Sequence, residues 1–339
     1  FFSTDQRKFI VADTPGHEQY TRNMITGAST ADVAVILIDA RRGILTQTRR
    51  HSFLVSLIGI KQIVLAVNKM DLVGFDQATF DAIVEEYRGF AVQIGLQDIT
   101  AIPLSALDGD NMISRSERTP WYKGPTLMAY LETCEVDATH LQAHPMRLPV
   151  QWVNRPNLDF RGFSGMLTSG QIRPGDRVRI QPSGKESTVK RLVAMNGDLD
   201  VAVAGQSVTV TLADEVDVSR GNVISAADSP AEVADQFECH IVWMADQPMY
   251  VGRPYRLKIG AQLVNMNITA LKHKVNVNTM EHVVATELAL NEIAVCNISL
   301  DRPVAFEPYD NNREMGGFIM IDRQTEQTVG AGMIHFALR

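Results

Sequence analysis

The sequence has little cysteine and no long apolar run, and each absence excludes a class of protein. Its three cysteines, Cys134, Cys239 and Cys296, lie far apart and form no CxxC pair. We therefore expect three reduced core thiols rather than a disulfide framework or a zinc site. The longest apolar run, 33–38, has the length of a strand, whereas a membrane-spanning helix needs about 20 residues. No basic segment followed by an apolar stretch marks a secretory signal within these residues, although one could lie upstream of Phe1. The expected location is cytoplasmic.

Concentrated positive charge is also absent. The net charge is −7, and lysine and arginine cluster only in pairs such as Arg41-Arg42 and Arg49-Arg50. A broad nucleic-acid interface needs many cations that neutralise phosphates, so no nucleic-acid partner is expected. A hydrophobic content of 45% with 21% charged residues is typical of soluble globular proteins. The length of 339 residues predicts two or three domains.

The first third of the chain alternates between strand and helix patterns. Continuous β-branched runs predict strands over 8–12, 33–38, 63–67 and 99–104. Helical spacing of apolar residues predicts helices over 48–58, 76–91 and 126–132. Together these elements predict a doubly wound, mostly parallel α/β sheet. Such sheets bind ligands just beyond the carboxyl ends of their strands, and the four strands end at Asp13, Asp39, Asn68 and Ser105.

The rest of the chain has the pattern of small β-barrels. A polar segment over 136–149 predicts a linker, after which turn signals recur at strand-like intervals. Strands are predicted over 177–180, 207–210, 237–243, 255–259, 262–267 and 333–337, with a break near 228–230. We therefore predict two small antiparallel barrels. The expected domain bounds are 1–140, 146–229 and 230–339.

The run Asp13-Thr14-Pro15-Gly16-His17 follows a predicted strand and precedes a predicted helix. An aspartate at a strand end can hold Mg²⁺ through water, since this ion keeps most of its hydration shell. Gly16 allows a backbone N–H to approach a terminal phosphate closely, and His17 can then orient an attacking water. A bare DxxG is also found in tight strand–helix turns, but the five-residue spelling in this context favours a nucleotide site.

The run Asn68-Lys69-Met70-Asp71 follows the third predicted strand. The carboxylate of Asp71 can accept hydrogen bonds from the ring N–H and the exocyclic amine of guanine, a donor pair that adenine does not offer. Asn68 can bridge the base and neighbouring loops, and the stem of Lys69 can lie over the base plane. Alone, NKxD occurs by chance in many loops, but its position behind the first motif makes it specific.

Ser105-Ala106-Leu107 follows the next predicted strand. Backbone N–H groups of this tripeptide can meet the guanine carbonyl. By itself the tripeptide carries little information, and its weight comes from being the third motif in order.

The phosphate-cradling sequence GxxxxGK[ST] is missing from these residues. In GTPases of this kind it lies well upstream of DxxG, and only twelve residues precede Asp13. We expect it to lie upstream of Phe1; the alternative is a GTPase-like protein that never had the loop. A Mg²⁺-binding threonine of the first switch is not identifiable, since Thr4 is a poor candidate.

The ordered motifs DTPGH, NKMD and SAL, followed by two barrels, resemble the translational GTPase superfamily that includes elongation factor Tu. Further matching segments are 25–28, 39–40, 43–44 and 47–48. The resemblance implies a P-loop-type GTPase domain that binds GTP or GDP with Mg²⁺. It implies catalysis by His17, metal support by Asp13, and nucleotide contacts along the three motifs.

A finer resemblance is to the large, GTPase subunit of bacterial heterodimeric sulfate adenylyltransferase. It rests on segments 2–4, 17–24, 154–162, 242–245, 321–323 and 328–333, of which 154–162 is the most distinctive. The resemblance implies a heterodimer with a smaller catalytic subunit. That partner forms adenosine 5′-phosphosulfate and pyrophosphate from ATP and sulfate, and GTP hydrolysis on the large subunit is coupled to this uphill step.

Two alternatives stay open. One is an elongation-factor-Tu-like protein that delivers aminoacyl-tRNA, which the acidic charge and segment 154–162 disfavour. The other concerns Arg155 and Arg161, which either stabilise the entry to the first barrel or contact another domain or subunit. The histidines show no metal-ligand spacing and are expected to be surface or core residues: His140, His144, His240, His273, His282 and His335.

Overall fold

The computed structural model describes residues 1–14, 21–136, 139–157 and 159–338, with the backbone alone at 21, 22, 139 and 140. The chain divides into two compact units, one with residues 1–136 and 276–281 and the other with the remainder. Across the described residues, no helix combines the length and apolar character needed to cross a membrane.

The first unit is built on a three-stranded parallel sheet in the order β3-β4-β5. The side chains of β4 at 63–67 are fully buried, as expected for the central strand of a covered parallel sheet. The elements are β1 (Phe2–Ser3), β2 (Lys8–Phe9), α1 (Thr21–Ala28), β3 (Val33–Asp39), α2 (Thr46–Leu57), β4 (Gln62–Asn68), α3 (Gln77–Gln93), β5 (Ile99–Pro103) and α4 (Leu127–Thr133).

The strand predicted over 8–12 differs from the observed structure. Only Lys8–Phe9 is extended into a strand, and it pairs antiparallel with Phe2–Ser3 instead of joining the parallel sheet. Ile10 and Val11 are 88% and 59% exposed. The prediction was wrong here because an apolar run of this length specifies neither the partner nor the direction of a strand.

The predicted helices are confirmed, and side-chain caps mark where two of them begin. Asp76 precedes α3, and its side chain accepts a hydrogen bond from the backbone N–H of Thr79 at 2.8 Å. Thr126 caps α4 in the same way through Ala129. The inward face of α3 carries the predicted apolar residues Phe80, Ile83, Val84 and Tyr87. The Tyr87 hydroxyl lies 2.9 Å from Ser52 Oγ on α2, which joins the two helices through a buried hydrogen bond.

The first barrel is closed by two consecutive strands, β6 (Arg147–Pro149) and β7 (Trp152–Asn157), which lie at opposite ends of its strand order. Strand β6 pairs with β15 (Val223–Ala226), and β7 pairs with β8 (Phe160–Met166). Between β15 and β8 the strand order is β15-β10-β11-β14-β8. The elements before and within it are α5 (Thr139–Ala143), β6 (Arg147–Pro149), β7 (Trp152–Asn157), β8 (Phe160–Met166), β9 (Gln171–Ile172), β10 (Arg177–Gln181), β11 (Lys185–Ala194), β12 (Gly197–Asp198), β13 (Ala202–Val203), β14 (Ser207–Leu212) and β15 (Val223–Ala226).

The crossing from β6 to β7 brings two backbones unusually close. Gln151 N–H donates to the Ser164 carbonyl at 2.8 Å, and Gly165 lies against Pro149. A Cβ on Gly165 would sit 2.2 Å from the Pro149 carbonyl oxygen. The prediction of a linker up to residue 149 was wrong over its last residues, because Met146 and Leu148 are buried in the barrel core.

The second barrel is closed by six strands in the order β18-β23-β24-β16-β22-β19, with β19 pairing back to β18. Its core includes Cys239 and Cys296, which face each other across β16 and β22. All three cysteines are free and buried, as expected. The elements are β16 (Glu232–Trp243), β17 (Met249–Tyr250), β18 (Pro254–Ile259), β19 (Gln262–Val275), β20 (His282–Val283), β21 (Glu287–Leu288), β22 (Ile293–Phe306), α6 (Arg313–Gly316), β23 (Gly317–Asp322) and β24 (Thr328–Ala337).

The two barrels are joined by a buried ion pair and by apolar packing. Arg147 of β6 donates to the Glu307 carboxylate at 2.5 Å and to the carbonyls of Met146 and Ser229 at 2.9 and 2.7 Å. Asn312 Nδ2 donates to Thr168 Oγ1 at 2.9 Å. An apolar cluster between them contains Val223, Ala231, Ala305 and Met315. These contacts make the barrels one packed body.

Four histidines from four different strands form two ring pairs on the second barrel. His335 Nε2 lies 2.5 Å from His240 Nδ1, and its Nδ1 lies 3.4 Å from the Glu238 carboxylate. The rings of His273 and His282 stack with centroids 3.8 Å apart. No group of metal-ligand geometry occurs among the described residues. The expectation of surface or core histidines did not include this cluster.

The environment of His240 in this cluster predicts a loss of stability in acid. Burial, followed by repulsion from the neighbouring histidines, lowers the pKa of His240 to about 3, although Glu238 opposes the shift. The unfolded chain therefore takes up a proton at this residue near pH 6.5 and the folded chain does not, so stability falls as the pH drops from about 6.5 towards 3. We expect His240→Gln to lower the slope of unfolding free energy against pH by up to about 1.4 kcal/mol per pH unit.

Urea unfolding at several pH values between 4 and 8 measures that slope. His144→Gln is the matched control, since His144 is an exposed histidine outside the cluster, and it should leave the slope close to that of the unsubstituted chain. Equal slopes for the two variants would show that His240 does not contribute to the acid sensitivity.

Candidate nucleotide-binding site

Two of the three predicted motifs meet at the carboxyl end of the parallel sheet. Asp39 and Asn68 are register partners at the ends of β3 and β4, and Ser105 follows β5 by two residues. The side-chain oxygen of Asn68 accepts a hydrogen bond from the backbone N–H of Ala106 at 2.9 Å. Asn68 therefore links the 68–71 and 105–107 segments directly.

The backbone at Lys69 is held in a conformation that non-glycine residues rarely adopt. Lys69 has φ +63° in the left-handed region and precedes a short 3₁₀ turn over Met70–Val73. The Asn68 side chain accepts from Lys69 N–H at 2.8 Å, and Met70 N–H donates to the Leu104 carbonyl at 3.0 Å. Strain of this kind persists where the surroundings fix it and is common at ligand sites. It supports a binding role for this turn.

Asp71 lies in the first turn of that 3₁₀ segment and is half-buried. Within the described part of the chain, its carboxylate forms no hydrogen bond and no ion pair. Both of its oxygens thus remain available as acceptors, which is what recognition of the guanine ring N–H and amine requires.

The loop after β5 presents one backbone donor. Ser105 is buried, and its carbonyl accepts from Gly109 and Asp110 at 2.7 and 3.1 Å. The Ala106 N–H is used by Asn68. The backbone N–H of Leu107 donates to none of the described residues, and its side chain is 90% exposed. Of the three residues, Leu107 is therefore the one whose N–H can meet a base carbonyl.

Asp39 was not predicted as a site residue, yet its carboxylate is the centre of the charged groups here. It accepts from Arg41 Nε and Nη2 at 3.0 and 2.7 Å and from Lys69 Nζ at 3.1 Å. Hydrogen bonding from Arg41, assisted by Lys69, holds the pKa of Asp39 well below its usual range. The signal that could have identified Asp39 is its position as the polar residue that ends a strand, shared with Asn68.

The phosphate-side motif is described only in part. Asp13 is exposed and Thr14 is half-buried, while Pro15, Gly16 and His17 lie outside the described residues. The segment before them runs against α1. A Cβ on Gly27 would lie 3.2 Å from both Ala12 Cβ and Thr14 Cγ2. Gly27 thus permits the close approach of this segment to the helix.

Family models match most of the chain. The elongation factor Tu GTP-binding domain matches residues 1–143, elongation factor Tu domain 2 matches 163–225, and a GTP-eEF1A C-terminal domain-like family matches 236–335. The chain therefore carries a guanine-nucleotide-binding domain of the elongation factor Tu type, followed by the two barrels. This confirms the predicted fold class.

Two sequence relatives identify the family to which the chain belongs within this group of GTP-binding proteins. The chain is 54% identical over 334 residues to sulfate adenylyltransferase subunit 1 of Aeromonas hydrophila, covering 98% of this chain and 70% of that protein. The chain belongs to the sulfate adenylyltransferase subunit 1 family. It is also 57% identical over 336 residues to the bifunctional enzyme CysN/CysC of Xylella fastidiosa, covering 98% of this chain and 54% of that protein. The chain thus spans about half the length of that relative.

A solved structure supports the fold of this subunit 1 family member. The crystal structure of Sup35 complexed with GDP matches with a TM-score of 0.56 and 22% identity, covering 92% of this chain and 80% of that one. At this identity the likeness concerns the fold alone. The resemblance to the large subunit of sulfate adenylyltransferase is confirmed separately, by the sequence relatives.

The distinctive segment 154–162 of this subunit 1 family member forms parts of strands β7 and β8. Arg155 is exposed. The Arg161 guanidinium lies 5.6 Å from the Phe163 ring centroid and 3.9 Å from Asp217. Arg161 therefore contributes to packing of its own barrel, while Arg155 stays open to either predicted role.

Proposed function

We propose that the chain binds GTP and GDP with Mg²⁺ and hydrolyses GTP as the large subunit of sulfate adenylyltransferase. Hydrolysis would be coupled to formation of adenosine 5′-phosphosulfate from ATP and sulfate on a smaller catalytic partner in a heterodimer. The observation that carries the proposal is the base site, in which Asn68 links two motifs and Asp71 keeps its acceptors available. Membership of the subunit 1 family supports the coupled reaction.

The roles at the base site follow from hydrogen-bonding capacity. Asp71 would accept from the ring N–H and amine of guanine, and the Leu107 N–H would donate to its carbonyl. The stem of Lys69 would lie over the base plane, with its ammonium directed to Asp39. Asn68, Ser105 and Ala106 would hold the two loops in place.

At the phosphates, Asp13 offers an exposed carboxylate, a hard oxygen ligand that suits Mg²⁺ held through water. When bound, the ion supplies positive charge that stabilises the transferring phosphoryl group. Thr14 and Pro15 would shape the turn, Gly16 would place its N–H at the terminal phosphate, and His17 would orient the attacking water. These roles, like the domain bounds 1–140, 146–229 and 230–339 and the cytoplasmic location, remain predictions.

Asp71→Asn tests the base site. The side-chain amide of asparagine presents N–H donors where guanine also presents donors, so we expect GTP binding to weaken by about tenfold or more and xanthosine triphosphate binding to improve. Nucleotide titration of the protein in its full natural length measures both affinities. Asp81→Asn, the same exchange on the exposed face of α3, should change neither. A variant that keeps its guanine preference would disprove the role given to Asp71.

His17→Ala tests the hydrolytic role. A residue that positions the attacking water acts in the transition state, so we expect GTP hydrolysis to slow roughly a hundredfold with little change in nucleotide affinity. Single-turnover hydrolysis and a separate titration distinguish the two quantities. Equal losses of rate and affinity would instead make His17 a binding or structural residue.

Partner choice separates this proposal from an elongation-factor-Tu-like translation role. Co-purification of a smaller subunit with adenylyl-transferring activity, together with faster formation of adenosine 5′-phosphosulfate on addition of GTP, is the expected result. Tight GTP-dependent binding of aminoacyl-tRNA would overturn the proposal in favour of the translation role.

A further inference from the structure

The carboxylate of Asp39 accepts four hydrogen bonds at the edge of the base site. Three come from Arg41, through its backbone N–H at 3.0 Å, Nε at 3.0 Å and Nη2 at 2.7 Å. The fourth comes from Lys69 Nζ at 3.1 Å. The Asp39 side chain is 19% exposed, whereas those of Arg41 and Lys69 are 47% and 48% exposed. Asp39 is thus more shielded from solvent than the two cations that it binds.

Two carboxylates, those of Asp39 and Asp71, act on the charge of Arg41. Hydrogen bonding to Asp39 is the main cause of its raised pKa, and Asp71 adds a smaller contribution through its charge. Nevertheless, Arg41 pairs with Asp39 alone among the described residues. The guanidinium is thus held by its hydrogen bonds to Asp39, and the charge of Asp71 acts on it without a direct contact.

The register of the sheet explains this arrangement. Parallel pairing sets Asp39 beside Asn68, and the left-handed backbone at Lys69 turns the chain so that the ammonium reaches Asp39. A carboxylate fixed by the strand end can hold both cations at once, because its two oxygens offer several acceptor positions.

We propose that Asp39 is a positioning residue of the guanine site, which keeps the Lys69 stem over the base plane and prevents Arg41 from pairing with Asp71. The inference rests on the proposed base site and assigns part of its specificity to a residue outside the three motifs. Without Asp39, the guanidinium would compete with guanine for the Asp71 carboxylate, since bidentate arginine–carboxylate pairing is favourable.

Titration with GDP and with inosine diphosphate tests this role in the protein at its full natural length. Hypoxanthine lacks the exocyclic amine, so the preference for GDP over inosine diphosphate reports the contact of that amine with Asp71. We expect Asp39→Asn to weaken GDP binding about tenfold and to reduce the GDP preference. Adding Arg41→Ala to Asp39→Asn should restore the preference, and Asp39→Glu should retain part of it.

The control is Asp198→Asn, because Asp198 holds Arg191 with the same two-bond geometry, at 2.7 and 2.8 Å, on the first barrel. It should leave both affinities unchanged. A GDP preference that survives Asp39→Asn, or that Arg41→Ala fails to restore, would overturn the inference alone. A protein of natural sequence that does not prefer GDP would instead overturn the proposed base site, and the inference with it.

Discussion

Replacement of Arg147 by alanine is expected to lower the free energy of unfolding of the two-barrel unit by about 3–5 kcal/mol. The Arg147 side chain is 5% exposed, and Glu307, its partner from the second barrel, is 18% exposed. The substitution leaves a largely buried carboxylate without its cation. It also leaves the Ser229 carbonyl without its donor and removes one of the two donors to the Met146 carbonyl, which keeps the Ala226 N–H. Buried groups without partners bear the full desolvation penalty.

Arg177→Ala provides the matched control, since Arg177 also pairs with a glutamate at 2.5 Å but its side chain is 73% exposed. Exposed pairs contribute at most about 1 kcal/mol. Urea unfolding of both variants measures the difference. If Arg147→Ala prevents folding, the double variant Arg147→Met with Glu307→Leu should recover stability, because apolar residues of similar size can replace a buried pair. Similar small losses for Arg147→Ala and Arg177→Ala would show that the buried pair does not hold the barrels together.

Gly165→Ala should destabilise the same unit by about 3 kcal/mol, the upper end of the range for overpacking. The added methyl group would meet the backbone carbonyl of Pro149 at 2.2 Å. A flexible side chain could rotate away from such a contact, but a backbone segment held in two strand pairings cannot. The barrel would have to open at the crossing from β6 to β7 to make room.

Gly89→Ala is the control for this exchange. Gly89 is an exposed residue of α3 with nothing within 4 Å of an added Cβ. Alanine should raise stability there by up to about 1 kcal/mol through helix propensity. The measurement is the difference in unfolding free energy between each variant and the natural chain. Tolerance of alanine at position 165 would mean that the close approach to Pro149 is easily relaxed.

Much of the base site could be predicted because its sequence signals are local. A β-branched run that ends in a polar residue marks a strand and the edge at which it ends, and this placed Asn68 and Ser105 at one edge. The residue types in the motifs then indicated which groups could bind guanine. Asp39 had the same local signal, but its function depends on contacts with Lys69 and Arg41 that only the paired strands reveal.

Features set by distant pairing could not be predicted. The run at 8–12 was apolar enough for a strand, but its actual partner was the short segment Phe2–Ser3. Residues 146–149 looked like part of a linker because histidine and proline surround them, yet Leu148 is a core residue. The histidine cluster joins His240, His273 and His335 from three strands, and no spacing along the chain indicates such a meeting.

The enclosed thiols of the second barrel give that barrel an internal reporter of its opening. Burial raises the pKa of Cys239 well above its usual value and raises that of Cys296 to about 12. Since only the exposed thiolate reacts with alkylating reagents, modification of these two residues has to wait for strands β16 and β22 to separate. Their labelling rate therefore measures how often this barrel opens under native conditions.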